Sequence, residues 1–194
     1  ASSEELGRRL AINPEQIRKD LAFFGQFGKK GVGYYVAELK ESIGGILGLD
    51  HHWNVAIVGM GHLGAALANY QGIARLGFHL AAIFDVNPVV IGTRVGERRV
   101  EDIAYLAEII AERDIQIGVI AVPAIHAQGV ADKLVGAGIR GIWNFAPVNL
   151  HVPPHIPFVS EDLSVGLSSL SYYLTHTTGE GDNLSERFKE SLIK

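Results

Sequence analysis

The chain has 194 residues, of which 47% are hydrophobic and 20% are charged, and its formal net charge is −4. These values are typical of a globular protein of one or two domains and argue against a disordered or fibrous chain. The sequence has no cysteine, which excludes disulfides and thiolate metal sites, and it has neither an apolar run of membrane-spanning length nor a signal-peptide core. We therefore expect a cytoplasmic protein with no membrane partner.

The charges are distributed unevenly along the chain. Residues 8–30 contain six basic and two acidic residues, so the rest of the chain is strongly acidic. A local basic cluster of this kind is common on a solvated helix face. Charge alone therefore does not establish a nucleic-acid partner.

Two helix-start signals follow each other near the beginning of the sequence. Ser2 and Glu5 form a capping-box pattern, in which the serine binds a backbone N–H and the glutamate reaches back. Asn13 and Pro14 repeat the signal, because asparagine is a good cap and proline suits the first helical position. The sequence predicts two short helices joined by a tight turn.

The second helix leads into a basic, glycine-rich segment. Ile17, Leu21 and Phe24 recur at helical spacing and are expected to pack inward, and Gly25 is the expected helix stop. Residues 26–36, QFGKKGVGYYV, alternate glycine, lysine and aromatic residues in the manner of a short hairpin. Helix, tight turn, basic helix and hairpin is the order of a winged helix-turn-helix. That module normally has one further helix in front, so we expect it to be N-terminally incomplete in this chain.

In a winged helix-turn-helix the second helix enters the major groove of DNA, and the wing lies along the backbone or minor groove. Arginine pairs well with guanine and glutamine with adenine, whereas lysines at a hairpin tip neutralise phosphates. The candidate readers of bases are Gln16, Arg18 and Lys19, and the candidate phosphate contacts are Lys29 and Lys30.

The pattern changes near residue 50. Residues 37–48 predict another amphipathic helix, and 48–52 a linker. After it, short apolar runs alternate with helical stretches such as VEDIAYLAEIIAERD at 100–114, which predicts a doubly wound α/β domain with a parallel sheet. The predicted strands are WNVAIVG at 53–59, HLAAIFD at 79–85, IQIGVIAV at 115–122, GIWNF at 141–145 and IPFVS at 156–160.

The first predicted strand is followed by a G-x-G-x-x-G fingerprint. This hexapeptide is a weak signal alone, but here it lies between a buried strand and a helix, as it does in dinucleotide-binding domains. Asp85 ends the next strand, 21 residues after Gly64, where an acidic residue accepts the ribose hydroxyls and disfavours a 2′-phosphate. We expect NAD(H) rather than NADP(H), on a loop formed by Gly59, Met60, Gly61, His62, Leu63 and Gly64.

Ligands of open α/β sheets bind outside the carboxyl ends of the strands, so two later loops should line the same crevice. They contain Val122 and Pro123, and Asn144 and Phe145. Pro123 is as readily explained as a strand stop. Asn144 is the better candidate for a polar contact to the nicotinamide or its ribose.

Few residues remain outside the two predicted domains to form a substrate-binding domain. Hydride transfer needs a substrate pocket and a positioned acid or base, and the eight histidines form no convincing triad or metal set. We expect no enzymatic activity. Two alternatives stay open: a small nucleotide- or coenzyme A-binding enzyme module with a structural N-terminal domain, and a DNA-binding protein with a purely structural Rossmann domain.

Several segments together resemble the Rex family of bacterial redox-sensing transcriptional repressors. They are SSEELGRRL, QIRKDLAFFGQFGKKGVGYYV, AIVGMGHLGAALANYQG, IFDVNP, AVP, NFAPVNL and EDLSVGLSSLSYYL. The resemblance implies a homodimer that binds palindromic operator DNA when NAD⁺ prevails and releases it when NADH binds. It also implies a recognition helix at 14–24 and a wing at 25–35.

The resemblance further implies redox-switch contacts at Tyr70 and Asp162, and a C-terminal helix that is exchanged between subunits. The apolar residues of that helix could instead belong to an ordinary core. The domains we expect are 1–50 for DNA binding, 51–162 for NAD(H) binding, 163–176 for the exchanged helix and 177–194 for a polar tail.

Overall fold

The structure is a computed structural model that describes residues 1–29 and 31–176, so Lys30 and the predicted tail at 177–194 lie outside the described residues. Both helix-start signals are confirmed. The Ser2 hydroxyl accepts from the Glu5 N–H at 3.1 Å, and the Asn13 side chain accepts from the Glu15 N–H at 2.8 Å. The Glu5 carboxylate binds Arg9 one turn further on rather than reaching back to the cap. The first three helices are α1 at Ser3–Leu10, α2 at Pro14–Phe24 and α3 at Val36–Ile46.

Helices α1 and α2 pack closely through a tight turn. A side chain at Gly7 would meet the Ile12 carbonyl oxygen at 2.6 Å, so glycine allows this approach. Ile17 is buried and Leu21 half-buried, as their spacing predicts. The inward packing predicted for Phe24 is wrong, since 57% of this residue is exposed and Phe23 beside it is more exposed still. The α1–α2 pair is too small to cover a third turn of α2.

The described residues of the glycine-rich segment at 25–35 show little regular pairing. One isolated bridge joins Lys29 to Gly33, where a hairpin was predicted. Beyond it the chain pairs with Ala1 instead: the Tyr34 N–H donates to the Ala1 carbonyl at 2.7 Å, and the Ala1 nitrogen donates to the Tyr34 carbonyl at 2.8 Å. The chain at Tyr34 is therefore held by Ala1, two residues before α1.

A seven-stranded sheet forms the second part of the chain, in the order β3-β4-β2-β1-β5-β6-β7. Its neighbouring strands run parallel except for the short β3–β4 pair. The strands are β1 at Trp53–Val58, β2 at Phe78–Asp85, β3 at Arg94–Val95, β4 at Arg98–Asp102, β5 at Ile117–Ile120, β6 at Gly141–Asn144 and β7 at Phe158–Ser160. The remaining α-helices of the described chain are α4 at His62–Ala68, α5 at Gln71–Arg75, α6 at Leu106–Glu112, α7 at Ala124–Gly136 and α8 at Val165–His176.

The helix predicted at 100–114 starts several residues before the observed helix α6. Val100 is buried and pairs with Ile83, so the segment starts as β4. The Asp102 carboxylate then accepts from the Ala104 N–H at 2.9 Å and starts a short 3₁₀ turn that leads into α6. Strand β4 is charged and lacks the apolar run of the predicted strands, so the sequence did not indicate it.

The two faces of the sheet are covered differently. One face, against α6 and α7, carries the large core with Phe84, Ile120 and Leu134 fully buried. The opposite face carries α4 and α5 over β1 and β2, which leaves an open apolar groove of about 570 Å³ beside β5, β6 and β7. We call it the sheet groove; Leu67, Tyr70, Phe78, Trp143, Val159 and Glu161 are among the residues that line it.

Helix α8 buries none of its residues within the described chain. Its leucines are mostly exposed, at 71% for Leu167 and 78% for Leu174, so the alternative that they form an ordinary core is wrong. No helix in the described part of the chain has the length and apolar character needed to cross a bilayer.

Candidate nucleotide and nucleic-acid sites

The loop after β1 brings its three glycines into three different surroundings. Gly59 is buried with φ of +100°, and a side chain there would meet the Ala121 carbonyl oxygen at 2.5 Å. A side chain at Gly64 would overlap the Gly59 carbonyl oxygen, whereas one at Gly61 would meet no protein atom within 4 Å. The first and third glycines are thus required by the fold, and the second leaves open space above the backbone. These are the roles that a pyrophosphate-binding turn requires.

Asp85 lies directly against this loop. One of its carboxylate oxygens accepts from the Met60 N–H at 2.6 Å, and the other accepts from the N–H groups of Val86 and Asn87 at 2.7 and 2.8 Å. The carboxylate therefore fixes the end of β2 to the glycine loop. Since a carboxylate has about four lone-pair sites, it retains acceptor capacity for ribose hydroxyls.

The remaining residues predicted for this crevice lie around the same edge of the sheet. Val122 approaches Gly59 closely, because a side chain built on that glycine would lie 2.8 Å from a Val122 methyl carbon. Pro123 is exposed at the start of α7. Within the glycine loop His62 is exposed, and Met60 and Leu63 are half-buried. Phe145 is half-buried and its ring packs on Trp143, with the centroids 4.6 Å apart.

The side chain of Asn144, predicted to contact the nicotinamide or its ribose, forms hydrogen bonds within the protein. It is fully buried at the carboxyl end of β6. Its amide nitrogen donates to the carbonyls of Ala146 and Val148 and to the Ser160 hydroxyl, and its amide oxygen accepts from the Ala146 N–H. Both ends of the side chain are committed to the protein. Asn144 therefore shapes the loop that follows it.

No hydrogen bond joins Tyr70 to Asp162 within the described chain. Tyr70 precedes α5, is 65% exposed, and lines the sheet groove beside Glu161. The Asp162 carboxylate accepts from both the hydroxyl and the N–H of Ser164, at 2.6 and 2.8 Å. These bonds, first that from the hydroxyl, hold the pKa of Asp162 below its usual value. Asp162 thus orders the turn into α8.

The candidate DNA contacts that the structure describes are exposed, and each of those on α2 has a partner. Gln16 donates to Asp20 at 2.6 Å, and Lys19 pairs with Glu15 at 3.2 Å. Arg18 turns toward α1, where it donates to the Ser3 hydroxyl at 2.7 Å and to Glu4 at 3.2 Å. Exposed pairs of this kind are weak, so these side chains can exchange their partners for DNA groups.

Near the wing, the Lys29 ammonium lies 5.9 Å from the centroid of the Tyr35 ring. Lys30 lies outside the described residues. The candidate DNA contacts thus lie in the N-terminal helical module, whereas the candidate nucleotide contacts, the glycine loop and Asp85, lie in the sheet domain.

The fold and the site define a class: a nucleotide-binding parallel α/β domain that follows a basic helical module. The family described as CoA binding domain matches residues 50–148. The redox-sensing transcriptional repressor Rex of Chloroflexus aurantiacus is 49% identical over 173 residues, which cover 89% of this chain and 82% of that protein. Rex of Clostridium perfringens is 45% identical over 175 residues, covering 90% of this chain and 82% of that protein.

Solved structures give the same result over nearly the whole chain. The crystal structure of RSP in complex with NAD⁺ and operator DNA matches with a TM-score of 0.86 and 40% identity, covering all of this chain and 86% of that one. RSP in complex with NADH matches with a TM-score of 0.80 and 39% identity, covering 98% of this chain and 85% of that one. This chain belongs to the Rex family of redox-sensing transcriptional repressors.

Proposed function

We propose that this chain is a transcriptional repressor that binds operator DNA and releases it when NADH occupies the sheet domain. The observation that carries the proposal is the contact between Asp85 and the glycine loop, at 2.6 Å from the Met60 N–H. This contact places the carboxylate that would bind the ribose next to the open backbone at Gly61, where the pyrophosphate would lie. RSP, a relative with this fold, has been crystallised with NAD⁺ and operator DNA and with NADH.

The ligand is NAD(H), acting as a regulator. Its pyrophosphate lies over Gly61, where the backbone is open, and its adenosine ribose binds Asp85. The nicotinamide end reaches toward the loops that contain Val122 and Phe145. No residue is assigned a catalytic role, because regulation needs only a difference in affinity between the two redox forms.

Operator DNA binds to the N-terminal module, which we assign to residues 1–50. Helix α2 is the recognition helix, with Gln16, Arg18 and Lys19 near the base edges, and Lys29 and Lys30 on the wing contact phosphates. The exposed position of α2 and the weak surface pairs of its side chains support this assignment.

The active species is a homodimer in which α8 is exchanged. The exposed leucines of α8 need an apolar surface, and the sheet groove is an uncovered apolar surface in each chain. Exchange of residues 163–176, which include α8, between two copies would cover both, and it would place Asp162 near the partner's sheet domain. The sheet domain itself spans 51–162.

Two recognition helices related by the dimer axis must lie about 34 Å apart, or a multiple of it, to reach successive major grooves. Reduction removes the positive charge and planarity of the nicotinamide ring, so the reduced form can favour a different arrangement of the two subunits. A change in the arrangement of the subunits would alter the distance between the two recognition helices and so prevent both from reaching the major groove. By reciprocity, operator DNA weakens NADH binding by the same factor by which NADH weakens DNA binding.

The match to CoA binding domain keeps coenzyme A as a second candidate ligand. Coenzyme A and NADH share an adenosine diphosphate, but coenzyme A carries a phosphate on its ribose. The Asp85 carboxylate would repel that phosphate at the position we assign to the ribose.

Calorimetric titration with NADH, NAD⁺, NADPH and coenzyme A tests the ligand directly. We expect NADH to bind more tightly than NAD⁺, and both NADPH and coenzyme A to bind at least about tenfold more weakly than NADH. Preferential binding of coenzyme A would support the alternative module. Steady turnover of NADH with a substrate would favour an enzyme.

A further inference from the structure

The buried side chain of Asn144 joins two segments that the proposed function uses separately. On one side it binds Ala146 and Val148, in the loop at the carboxyl end of β6 that borders the nucleotide crevice. On the other side it donates to the Ser160 hydroxyl at 3.0 Å. Ser160 is the last residue of β7 and lies beside Asn144 in the parallel ladder.

The connection continues from Ser160 into α8. The Glu161 N–H donates to the Asn144 carbonyl at 2.8 Å, so the chain is held to β6 one residue beyond the strand. The next residue, Asp162, accepts from the N–H and hydroxyl of Ser164, and its carbonyl accepts from the Val165 N–H at 3.2 Å. An unbroken set of short contacts thus links the crevice loop to the first residue of α8.

The loop is also anchored at its far end. The Gln128 side chain accepts from the His151 N–H at 2.9 Å and donates to the His151 carbonyl at 3.0 Å, which fixes the loop to α7. The loop is therefore held at both ends, by Asn144 at its start and by Gln128 at its end. The full burial of Asn144 leaves its amide no water with which to exchange these bonds.

We infer that Asn144 is a positioning residue that transmits ligand occupancy of the crevice loop through Ser160 to α8. The inference rests on the proposed nucleotide site and dimer, and it assigns to Asn144 and Ser160 a part in the switch without contact to the ligand. Loss of the Ser160 hydroxyl should leave NADH binding intact and break the response of α8.

Hydrogen exchange with NADH as the added probe tests the link in the full chain. In the unchanged protein we expect NADH to alter amide exchange by about fivefold or more, the lower end of usual coupling, both at 145–150 and in α8. In Ser160→Ala the response at 145–150 should persist and that of α8 should be lost. Ser160→Thr keeps a hydroxyl and suits a strand, so it should restore the α8 response. Asn144→Asp is a poorer probe, because a carboxylate at this enclosed position threatens folding.

Each other outcome has a definite meaning. An α8 response that survives in Ser160→Ala overturns the link, as does a response confined to 145–150 in the unchanged protein. Loss of both responses in Ser160→Ala would make Ser160 a structural part of the site, which also overturns the link. Absence of any response in the unchanged protein would overturn the nucleotide site itself, and with it this inference.

Discussion

At the scale of single residues, the glycine loop separates what folding requires from what a ligand requires. Gly64 has no room for a side chain, because the Gly59 carbonyl occupies that space, whereas Gly61 has open space above it. The φ of Gly61 is −72°, which other residues adopt readily. The two positions therefore give opposite predictions for the same substitution.

Gly61→Ala should leave the thermal unfolding midpoint nearly unchanged and weaken NADH binding at least about tenfold, because the added methyl group takes the space of the pyrophosphate. Gly64→Ala is its matched counterpart and should destabilise the fold by about 1–3 kcal/mol. Calorimetric titration and thermal unfolding of both variants measure this. Equal NADH affinity in Gly61→Ala and the unchanged protein would show that the pyrophosphate lies elsewhere.

Asp85→Asn should weaken NADH binding by about 10- to 100-fold, since a hydrogen bond to a charged group contributes roughly 1.5–3 kcal/mol. It should also reduce the preference for NADH over NADPH, because the repulsion of the 2′-phosphate is lost. Asp102→Asn is the control, as Asp102 ends the neighbouring strand in register with Asp85. If both variants lowered NADH affinity alike, Asp85 would have no specific role at the ribose.

At the scale of elements, sequence predicted most reliably what depends on local physics. Apolar runs identified β1 and β2, and cap residues identified the starts of α1 and α2. The wing was less predictable because Tyr34 pairs with Ala1, 33 residues away, instead of forming a regular hairpin. The role of Asn144 was also unpredictable from the sequence, because its partners Val148 and Ser160 come from the loop after β6 and from the end of β7. The only sequence signal for Ser160 was its place at the end of a predicted strand.

The wing gives a prediction of its own. Lys29→Gln should flatten the salt dependence of operator binding, reducing the slope of log affinity against log salt by about 0.9, because one phosphate contact is lost. Filter binding or fluorescence anisotropy at several salt concentrations measures the slope. Lys133→Gln, the same change on α7 in the sheet domain, should not alter it. An unchanged slope in Lys29→Gln would exclude this wing residue as a phosphate contact.

At the scale of the whole molecule, the apolar surfaces of the single chain are incomplete. The sheet groove lies open beside β5, β6 and β7, and α8 has no buried residue in the described chain. The exchange of α8 that we propose would cover both surfaces at once.

Leu170→Asp should shift the protein from dimer to monomer and raise the dimer dissociation constant at least about 100-fold, because a charge would replace a leucine that the proposed interface buries. Analytical ultracentrifugation over a range of concentrations measures the constant. Ser168→Asp adds the same charge at a nearby exposed position of α8 and should have a much smaller effect. A Leu170→Asp protein that remains as dimeric as the unchanged one would place the interface away from α8.

The central claim is that one molecule couples an NADH site to a DNA site, and operator binding across NADH:NAD⁺ ratios tests it most directly. The operator duplex is first selected from random DNA, and its affinity is then measured by anisotropy at constant total nucleotide. We predict that affinity falls steeply as the NADH fraction rises and changes little with NAD⁺ alone. A near-complete switch requires about a 10⁴-fold difference in NADH affinity between the two states of the dimer. Equal operator affinity at every ratio would contradict the account.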